Sequence, residues 1–260
     1  GTADRLLTGA DFDLESIVYM SQALQDTRIE YFLNPIDGQG PATDSASAAT
    51  AMSTGLKTDA GNIAWESGDP EDGALTTIAE TLKAAGFAIG IGSTVPFSHA
   101  TPAAFISHNV SRNNYQEIGA EIVNDAIADV VIGGGNPNTY RGGGNYRYLA
   151  QTDYDNLKAV DGSTPYTHFV EWTAGVDGNV SLANLAAEVN VNAGEKLFGY
   201  FGGEGGNFDF HEAANDLGNP EISRGAIENP LMKDLVLATF DVINDDPDGF
   251  FSVFEQGDID

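Results

Sequence analysis

Hydrophobic positions along the chain alternate between a helical spacing and short continuous runs. In Leu75–Ala85 apolar residues recur every three or four positions, which predicts a helix, and Gly86 follows as a C-terminal stop. Phe87–Gly92 is then a short apolar run, which predicts a buried strand. The same order of helix and strand recurs in two later pairs, Ile118–Ala128 with Asp129–Ile132 and Pro230–Ile243 with Phe250–Phe254. This alternation predicts an α/β fold with a largely parallel sheet, whose functional residues cluster at the carboxyl ends of the strands.

The periodic signal weakens between residues 139 and 229. Tyr140–Tyr148 and Gly202–Phe210 are rich in glycine, asparagine and aromatic residues and have no clear period. We interpret 139–229 as an irregular peripheral region. Because 260 residues of which 42% are hydrophobic can bury one substantial core, we expect residues 1–260 to form a single domain.

Charge excludes several classes of partner. The chain has 39 acidic and 11 basic residues, a formal net charge of −28, so it repels nucleic acid phosphates and anionic membranes.

Two further features of the sequence exclude other classes. No apolar run approaches the roughly 20 residues that cross a bilayer. The absence of cysteine excludes disulfides and thiolate metal sites. The charge fits an ordinary acidic enzyme or a halophilic protein adapted to high salt, and we favour the second interpretation.

The segment with the most chemical information is Thr43–Ala51, TDSASAATA, a run of small residues after a turn rich in glycine and proline. Asp44 or Ser45 can cap a helix that begins here. Backbone N–H groups at such a helix start, at the positive end of the helix dipole, form a natural cradle for phosphate. An ordinary capped helix packed close to a neighbour explains the same residues, and on this feature alone it is the favoured interpretation.

A longer string starting at Thr43, TDSASAATAMSTGLKTDAGNIAW, resembles the nucleophile segment of the alkaline phosphatase family. Further segments resemble that family in the same order along the chain, namely Ser93–Arg112, Val131–Gly135 and Phe250–Asp260. The resemblance is strong over residues 41–135 and 230–260 and weaker between them. It implies an alkaline-phosphatase-like α/β sandwich, with a largely parallel central sheet flanked by helices and truncated at both ends.

The resemblance also implies a reaction, hydrolysis of small phosphate monoesters through a covalent phosphoserine. Ser45 corresponds to the nucleophile, Arg112 to the clamp that binds phosphate, and Asp44 to the residue that positions Arg112. A guanidinium suits the clamp because its planar fork matches two phosphate oxygens. A simple helix cap is the alternative role for Asp44. A homodimer outside the cytoplasm is implied as well, although the first ten residues contain no signal-peptide pattern.

Two zinc ions and one magnesium ion are the cofactors that the resemblance implies. Ser45 would lie against zinc, and Asp260 corresponds to a carboxylate ligand of the first zinc. Thr101 and Glu255 correspond to ligands of the magnesium-type site, where hard oxygen donors are expected.

The chain has four histidines, and one of them lies near the implied metal ligands. His99 lies two residues before Thr101, at a position where family members have either Asp or His, so the identity of the third metal stays open. No ligand role is assigned to His108, His168 or His211, which we expect to be structural or exposed.

Part of the family's metal set has no counterpart in the sequence. The motif that precedes the nucleophile and the histidine ligands that follow the position of Asp260 are unmatched. We therefore expect this chain to be a segment of a larger enzyme, and to be inactive when produced alone.

Two alternative functions remain. One is another hydrolase of the superfamily, a phosphodiesterase or a sulfatase, although no sulfatase-type Cys/Ser-x-Pro-x-Arg string lies near Ser45. The other is a non-catalytic acidic calcium-binding protein, because Asn244–Gly249 followed by Glu255 approaches the pattern of an EF-hand loop. Against the EF-hand, the first position is asparagine, Pro247 stiffens the loop, and no helical pattern follows.

Overall fold

Five parallel strands form one sheet in the computed structural model, which describes residues 43–208 and 227–257. The order of the strands across the sheet is β3-β4-β2-β1-β5, and every pairing is parallel. Along the chain the strands are β1 (Ala88–Pro96), β2 (Val130–Gly134), β3 (His168–Glu171), β4 (Leu197–Tyr200) and β5 (Phe250–Glu255). The prediction of an α/β fold with a largely parallel sheet is confirmed.

Helices cover both faces of this sheet. They are α1 (Ser45–Thr54), α2 (Ile78–Ala84), α3 (Ala100–Ala103), α4 (Tyr115–Asp125), α5 (Gln151–Ala159), α6 (Gly178–Ala186) and α7 (Met232–Ile243). Alternating strand residues point into two separate cores: Val131 packs with residues of α1 to α5, whereas Val130 and Ile132 pack with residues of α6 and α7. On the second face α7 lies very close to β1, since a Cβ on Gly92 would be 2.2 Å from Leu235 Cδ2.

The predicted elements around β1 and β2 exist, with shifted ends. Helix α2 begins at Ile78 rather than Leu75, because the Thr77 hydroxyl accepts a hydrogen bond from the N–H of Glu80 and the Glu80 carboxylate accepts one from the N–H of Thr77. Helix α4 runs from Tyr115 to Asp125, three residues earlier than predicted at each end. Strand β1 extends beyond the predicted apolar run to Pro96, and all its residues are buried.

The interpretation of 139–229 as irregular and peripheral is wrong for the described part of that region. It contains α5, β3, α6 and β4, and β4 lies between β2 and β3 in the sheet. Each of these two strands is only four residues long, and neither follows a recognised helical repeat that would mark it, as the predicted helix before β2 does.

The EF-hand alternative is also wrong. Phe250–Glu255, the second half of the proposed loop, is a strand paired along its length with β1. An EF-hand would require a calcium-binding loop there, followed by a helix. Within the described residues, no helix has the length and the apolar character that crossing a bilayer requires.

Candidate active site

The Asp44 side chain connects three parts of the chain. Its Oδ2 atom accepts hydrogen bonds from the backbone N–H groups of Ala46 and Ser47, at 3.0 and 3.2 Å, and so caps α1. The same oxygen accepts the N–H of Gly61 at 2.8 Å. The Oδ1 atom accepts a hydrogen bond from Arg112 Nη1 at 2.6 Å. One carboxylate therefore joins the start of α1, the loop that follows it and the guanidinium of Arg112.

This capping decides between the two interpretations of the helix start. The N–H groups of Ala46 and Ser47 bond to the Asp44 carboxylate, and the N–H of Ala48 bonds to the Asp44 carbonyl at 3.0 Å. These are the donors that a phosphate cradle would use, and the tethered carboxylate already satisfies them. The predicted cradle is therefore not open in this structure, and α1 begins as a capped helix.

The two serines beside Asp44 differ in their surroundings. Ser45, the first residue of α1, is exposed. Ser47 is 2% exposed, and its hydroxyl donates to the Asp44 carbonyl at 3.1 Å. Of these two hydroxyls, that of Ser45 is the one that a substrate can reach.

Gly61 is a positioning residue that the sequence analysis missed. Its N–H donates to Asp44, and its carbonyl accepts the N–H of Arg112 at 2.7 Å. Its φ of +95° lies in the region that favours glycine. A glycine in a loop gives no further signal in the sequence, so this double contact emerges only from the folded chain.

Thr50 anchors the same loop to α1. The buried Thr50 hydroxyl donates to the carbonyl of Asn62 and accepts the N–H of Ala64, both at 2.9 Å. The loop that contacts Asp44 and Arg112 is thus bonded to the helix that begins with Ser45.

The environment of Asp44 favours its charged form. Partial burial raises the pKa of Asp44, but the hydrogen bonds from Arg112 and Gly61 and the charge of Arg112 outweigh this effect, so the pKa lies below its usual range. A lowered pKa stabilises the fold at pH values above the pKa of the unfolded chain. That contribution is lost as the pH falls through the folded-state pKa.

Glu255 and Thr101 lie at the carboxyl edge of the sheet. Glu255 ends β5 opposite Ser93 of β1, and the Ser93 hydroxyl donates to Glu255 Oε2 at 2.7 Å. Thr101 is in α3, which follows β1 and packs against both α1 and β5. In the described structure the hydrogen-bond partner of Glu255 is Ser93 rather than Thr101.

His99 lies beside the candidate site, at the N-cap position of α3. Its ring stacks on that of Tyr115, the first residue of α4, with centroids 5.8 Å apart and planes at 2°. The structure therefore places His99 between the helix of Thr101 and the residues that follow Arg112.

Of the other three histidines, the structure describes the contacts of two. His108 bridges Glu121 and the Leu75 carbonyl through its two ring nitrogens, at 2.8 and 3.1 Å, as expected for a structural residue. His168 contacts the Thr167 hydroxyl at 2.9 Å. His211 and Asp260 lie outside the described residues.

The donor set can be tested against the implied metals. Across residues 43–208 and 227–257, no three His, Asp or Glu side chains converge into a group that could hold a metal. These residues therefore do not fit a zinc site, which takes three or four such ligands. Glu255 and Ser93, which are hydrogen-bonded to each other, and Thr101 offer oxygen donors of the kind that magnesium prefers.

Comparison with known proteins decides the family. The family model described as alkaline phosphatase matches residues 23–260. The chain belongs to the alkaline phosphatase family. Alkaline phosphatase 3 of Bacillus subtilis (strain 168) is 28% identical over 231 residues, which cover 87% of this chain and 41% of that protein. Alkaline phosphatase of Escherichia coli (strain K12) is 37% identical over 125 residues, 40% of this chain and 26% of that protein.

Solved alkaline phosphatases share the fold. The cold-active enzyme from the psychrophile Shewanella sp. has a TM-score of 0.58 at 26% identity, covering 86% of this chain and 44% of that one. A variant of the enzyme from the Antarctic bacterium TAB5, with magnesium bound in its M3 site, has a TM-score of 0.56 at 21% identity, covering 83% of this chain and 50% of that one. The chain thus spans half or less of the length of each of these relatives.

Proposed function

We propose that this protein hydrolyses phosphate monoesters through a covalent phosphoserine on Ser45. The observation that carries the proposal is the hydrogen-bonded pair of Asp44 and Arg112 beside the exposed Ser45, in a chain of the alkaline phosphatase family. Asp44 takes one N–H of Arg112, and a guanidinium has five N–H donors in a planar fork. The rest of the fork binds phosphate oxygens.

In this proposal each residue has a step. Arg112 binds the phosphate and holds its phosphorus atom near the Ser45 hydroxyl. Asp44 fixes the guanidinium and the start of α1 as one unit, so the clamp and the nucleophile keep their relative positions. Transfer of the phosphoryl group to Ser45 releases the alcohol, and water then releases inorganic phosphate.

The proposal includes two zinc ions and one magnesium ion. Glu255, with the Thr101 and Ser93 hydroxyls, would hold magnesium, and a bound metal ion supplies electrostatic stabilisation of the developing charge. Asp260 is the proposed zinc ligand of this chain. No step above is assigned to zinc, because the described residues do not assemble a zinc ligand set.

The proposed biological setting follows from charge and family. We propose a homodimer that acts outside the cytoplasm on small phosphate monoesters. Nucleic acids and anionic membrane surfaces are not proposed as partners, because the net charge of −28 on the chain repels them.

Phosphoenzyme trapping tests the nucleophile. The complete metal-loaded enzyme is incubated with labelled phosphate and acid-quenched, and the covalently bound label is measured. Ser45→Ala is expected to reduce the label to background, because the alanine side chain has no hydroxyl that can be phosphorylated. Ser47→Ala, two residues away, is the matched control and is expected to retain the label.

The outcome that contradicts the proposal is wild-type labelling of Ser45→Ala. Hydrolysis of phenyl phosphate, compared with diphenyl phosphate and phenyl sulfate, separates the monoesterase from the phosphodiesterase and sulfatase alternatives.

A further inference from the structure

A solvent-open cavity of about 470 Å³ has a wall that begins at Asn113, the residue that follows Arg112. Its wall consists of the five residues that follow Arg112 together with one arginine from the loop after β2: Asn113, Asn114, Tyr115, Gln116, Glu117 and Arg147. Consecutive Cα atoms are about 3.8 Å apart, so the cavity wall begins within about 4 Å of the Arg112 Cα atom. The ring contact between Tyr115 and His99 ties the same wall to the helix of Thr101.

Arg147 is a positioned cation in this cavity. Its guanidinium carbon lies 5.0 Å from the ring centre of Tyr115 and 5.8 Å from that of Tyr148. The two tyrosine rings are in edge contact with each other at 5.1 Å. Arg147 is exposed, and cation–π contacts of this kind restrict where an exposed guanidinium can move.

The charges of the cavity limit what it can bind. The chain has 39 acidic residues and only 11 basic ones, so an exposed arginine creates a local exception to the negative surface. Glu117 is the carboxylate among the lining residues, and its Oε2 atom accepts a hydrogen bond from Asn109 at 3.1 Å. With one guanidinium and one carboxylate, the lining residues have no net charge, so an anionic ligand would pair with Arg147 and be opposed by Glu117. A carboxylate matches the guanidinium fork in shape and charge.

We propose that this cavity binds the leaving group of the substrate, and that Arg147 selects monoesters whose leaving group carries a carboxylate. The inference rests on the proposed phosphatase function. With the phosphate bound to Arg112, the leaving group extends over the residues that follow Arg112, and its carboxylate pairs with Arg147.

Two esters of matched shape test this selection. The measured quantity is the ratio of kcat/KM for 4-carboxyphenyl phosphate to kcat/KM for its neutral analogue 4-carbamoylphenyl phosphate, in the complete metal-loaded enzyme. Arg147→Gln is expected to lower this ratio about three- to fivefold, the effect of losing one exposed ion pair. Glu117→Gln is expected to raise it about twofold, because it removes the opposing carboxylate.

Arg141→Gln is the matched control. Arg141 is also an exposed arginine over a tyrosine ring, 5.4 Å from the centre of Tyr140, and it lies outside the cavity wall. Its variant changes the net charge equally and is expected to keep the wild-type ratio. Equal ratios in the wild type and in the Arg147 and Glu117 variants overturn this inference and leave the phosphatase proposal standing. Failure of the wild-type enzyme to hydrolyse either ester overturns both.

Discussion

At the scale of single residues, the carboxylate of Asp44 links the start of the helix that begins at Ser45 to Arg112, the proposed phosphate clamp. Its two oxygens have different partners: Oδ2 accepts backbone N–H groups, and Oδ1 accepts the guanidinium of Arg112. The helix cap and the hydrogen bond to Arg112 are therefore both present, although the sequence treated the two roles of Asp44 as alternatives. Because a side-chain oxygen suffices for the cap while the ion pair needs the charge, substitution can separate the two roles.

Two variants of Asp44 test this separation. Asp44→Ala is expected to lower the free energy of unfolding by about 1 kcal/mol through loss of the cap. Asp44→Asn keeps a side-chain acceptor and is expected to lose less. Both variants leave Arg112 without its anionic partner and are expected to weaken phosphate inhibition of hydrolysis by about tenfold. Urea unfolding and the inhibition constant of inorganic phosphate are the measurements.

The pH dependence provides the control for this prediction. Since the pKa of Asp44 is lowered in the folded protein, its charge stabilises the fold at neutral pH, and this contribution is lost as the pH falls through the folded-state pKa. The stability difference between wild type and Asp44→Asn is therefore expected to shrink on acidification. Unchanged phosphate inhibition in both variants would contradict the positioning role.

At the scale of elements, an ionic cluster around the buried Asp129 joins three strands at the edge opposite the candidate active site. Asp129, which precedes β2, is 3% exposed and accepts the N–H of Ile89 in β1 at 2.8 Å. It also accepts hydrogen bonds from the ammonium groups of Lys83 and Lys196, at 2.6 and 2.7 Å. Lys196 precedes β4, and its burial lowers its pKa although the charge of Asp129 opposes this. The cluster connects the amino ends of β1, β2 and β4.

Removing the charge of Asp129 tests this cluster. Asp129→Asn is expected to lower the free energy of unfolding by about 3 kcal/mol, because it leaves two lysines around a neutral side chain. Asp125→Asn, an exposed acid at the end of α4, is the matched control and is expected to change stability by less than about 0.5 kcal/mol. Urea unfolding of both variants is the measurement. Equal stability of the two variants would show that the cluster contributes little to the fold.

At the scale of the whole molecule, self-repulsion opposes the compact state. A formal net charge of −28 on 260 residues gives many neighbouring carboxylates on one surface. The Debye length is about 10 Å at 0.1 M salt and about 3 Å at 1 M, so only molar salt screens adjacent surface charges. The halophilic interpretation therefore has a direct physical consequence for stability.

A thermal melt of the metal-saturated protein tests this consequence. The midpoint is expected to rise between about 0.1 M and 3 M sodium chloride at neutral pH, because screening removes the repulsion. The same series at about pH 4, where many carboxylates are protonated, is expected to give a smaller rise. A flat midpoint at neutral pH would show that the protein is not salt-adapted, and that its charge needs another explanation.

The sequence by itself was sufficient for the class of fold and for the identities of several candidate residues. Helices α2, α4 and α7 could be predicted because their apolar positions repeat with the helical period, and strands β1, β2 and β5 because a short, largely apolar run follows each of those helices. The small-residue segment from Thr43 and the later matching segments indicated the family. Strands β3 and β4 could not be predicted, since no recognised helical repeat marks them, and their place in the sheet depends on their neighbours.

Only the tertiary structure decided which residues meet at the candidate site. Asp44 bonds to Arg112 across 68 positions, and Ser93 to Glu255 across 162. The stacking of His99 on Tyr115 and the cavity around Arg147 likewise join separate segments. A periodic hydrophobic pattern shows which face of a helix or strand is buried. A hydrogen bond between distant segments leaves no such pattern, because it forms only when the packing of the sheet and helices brings the two side chains together.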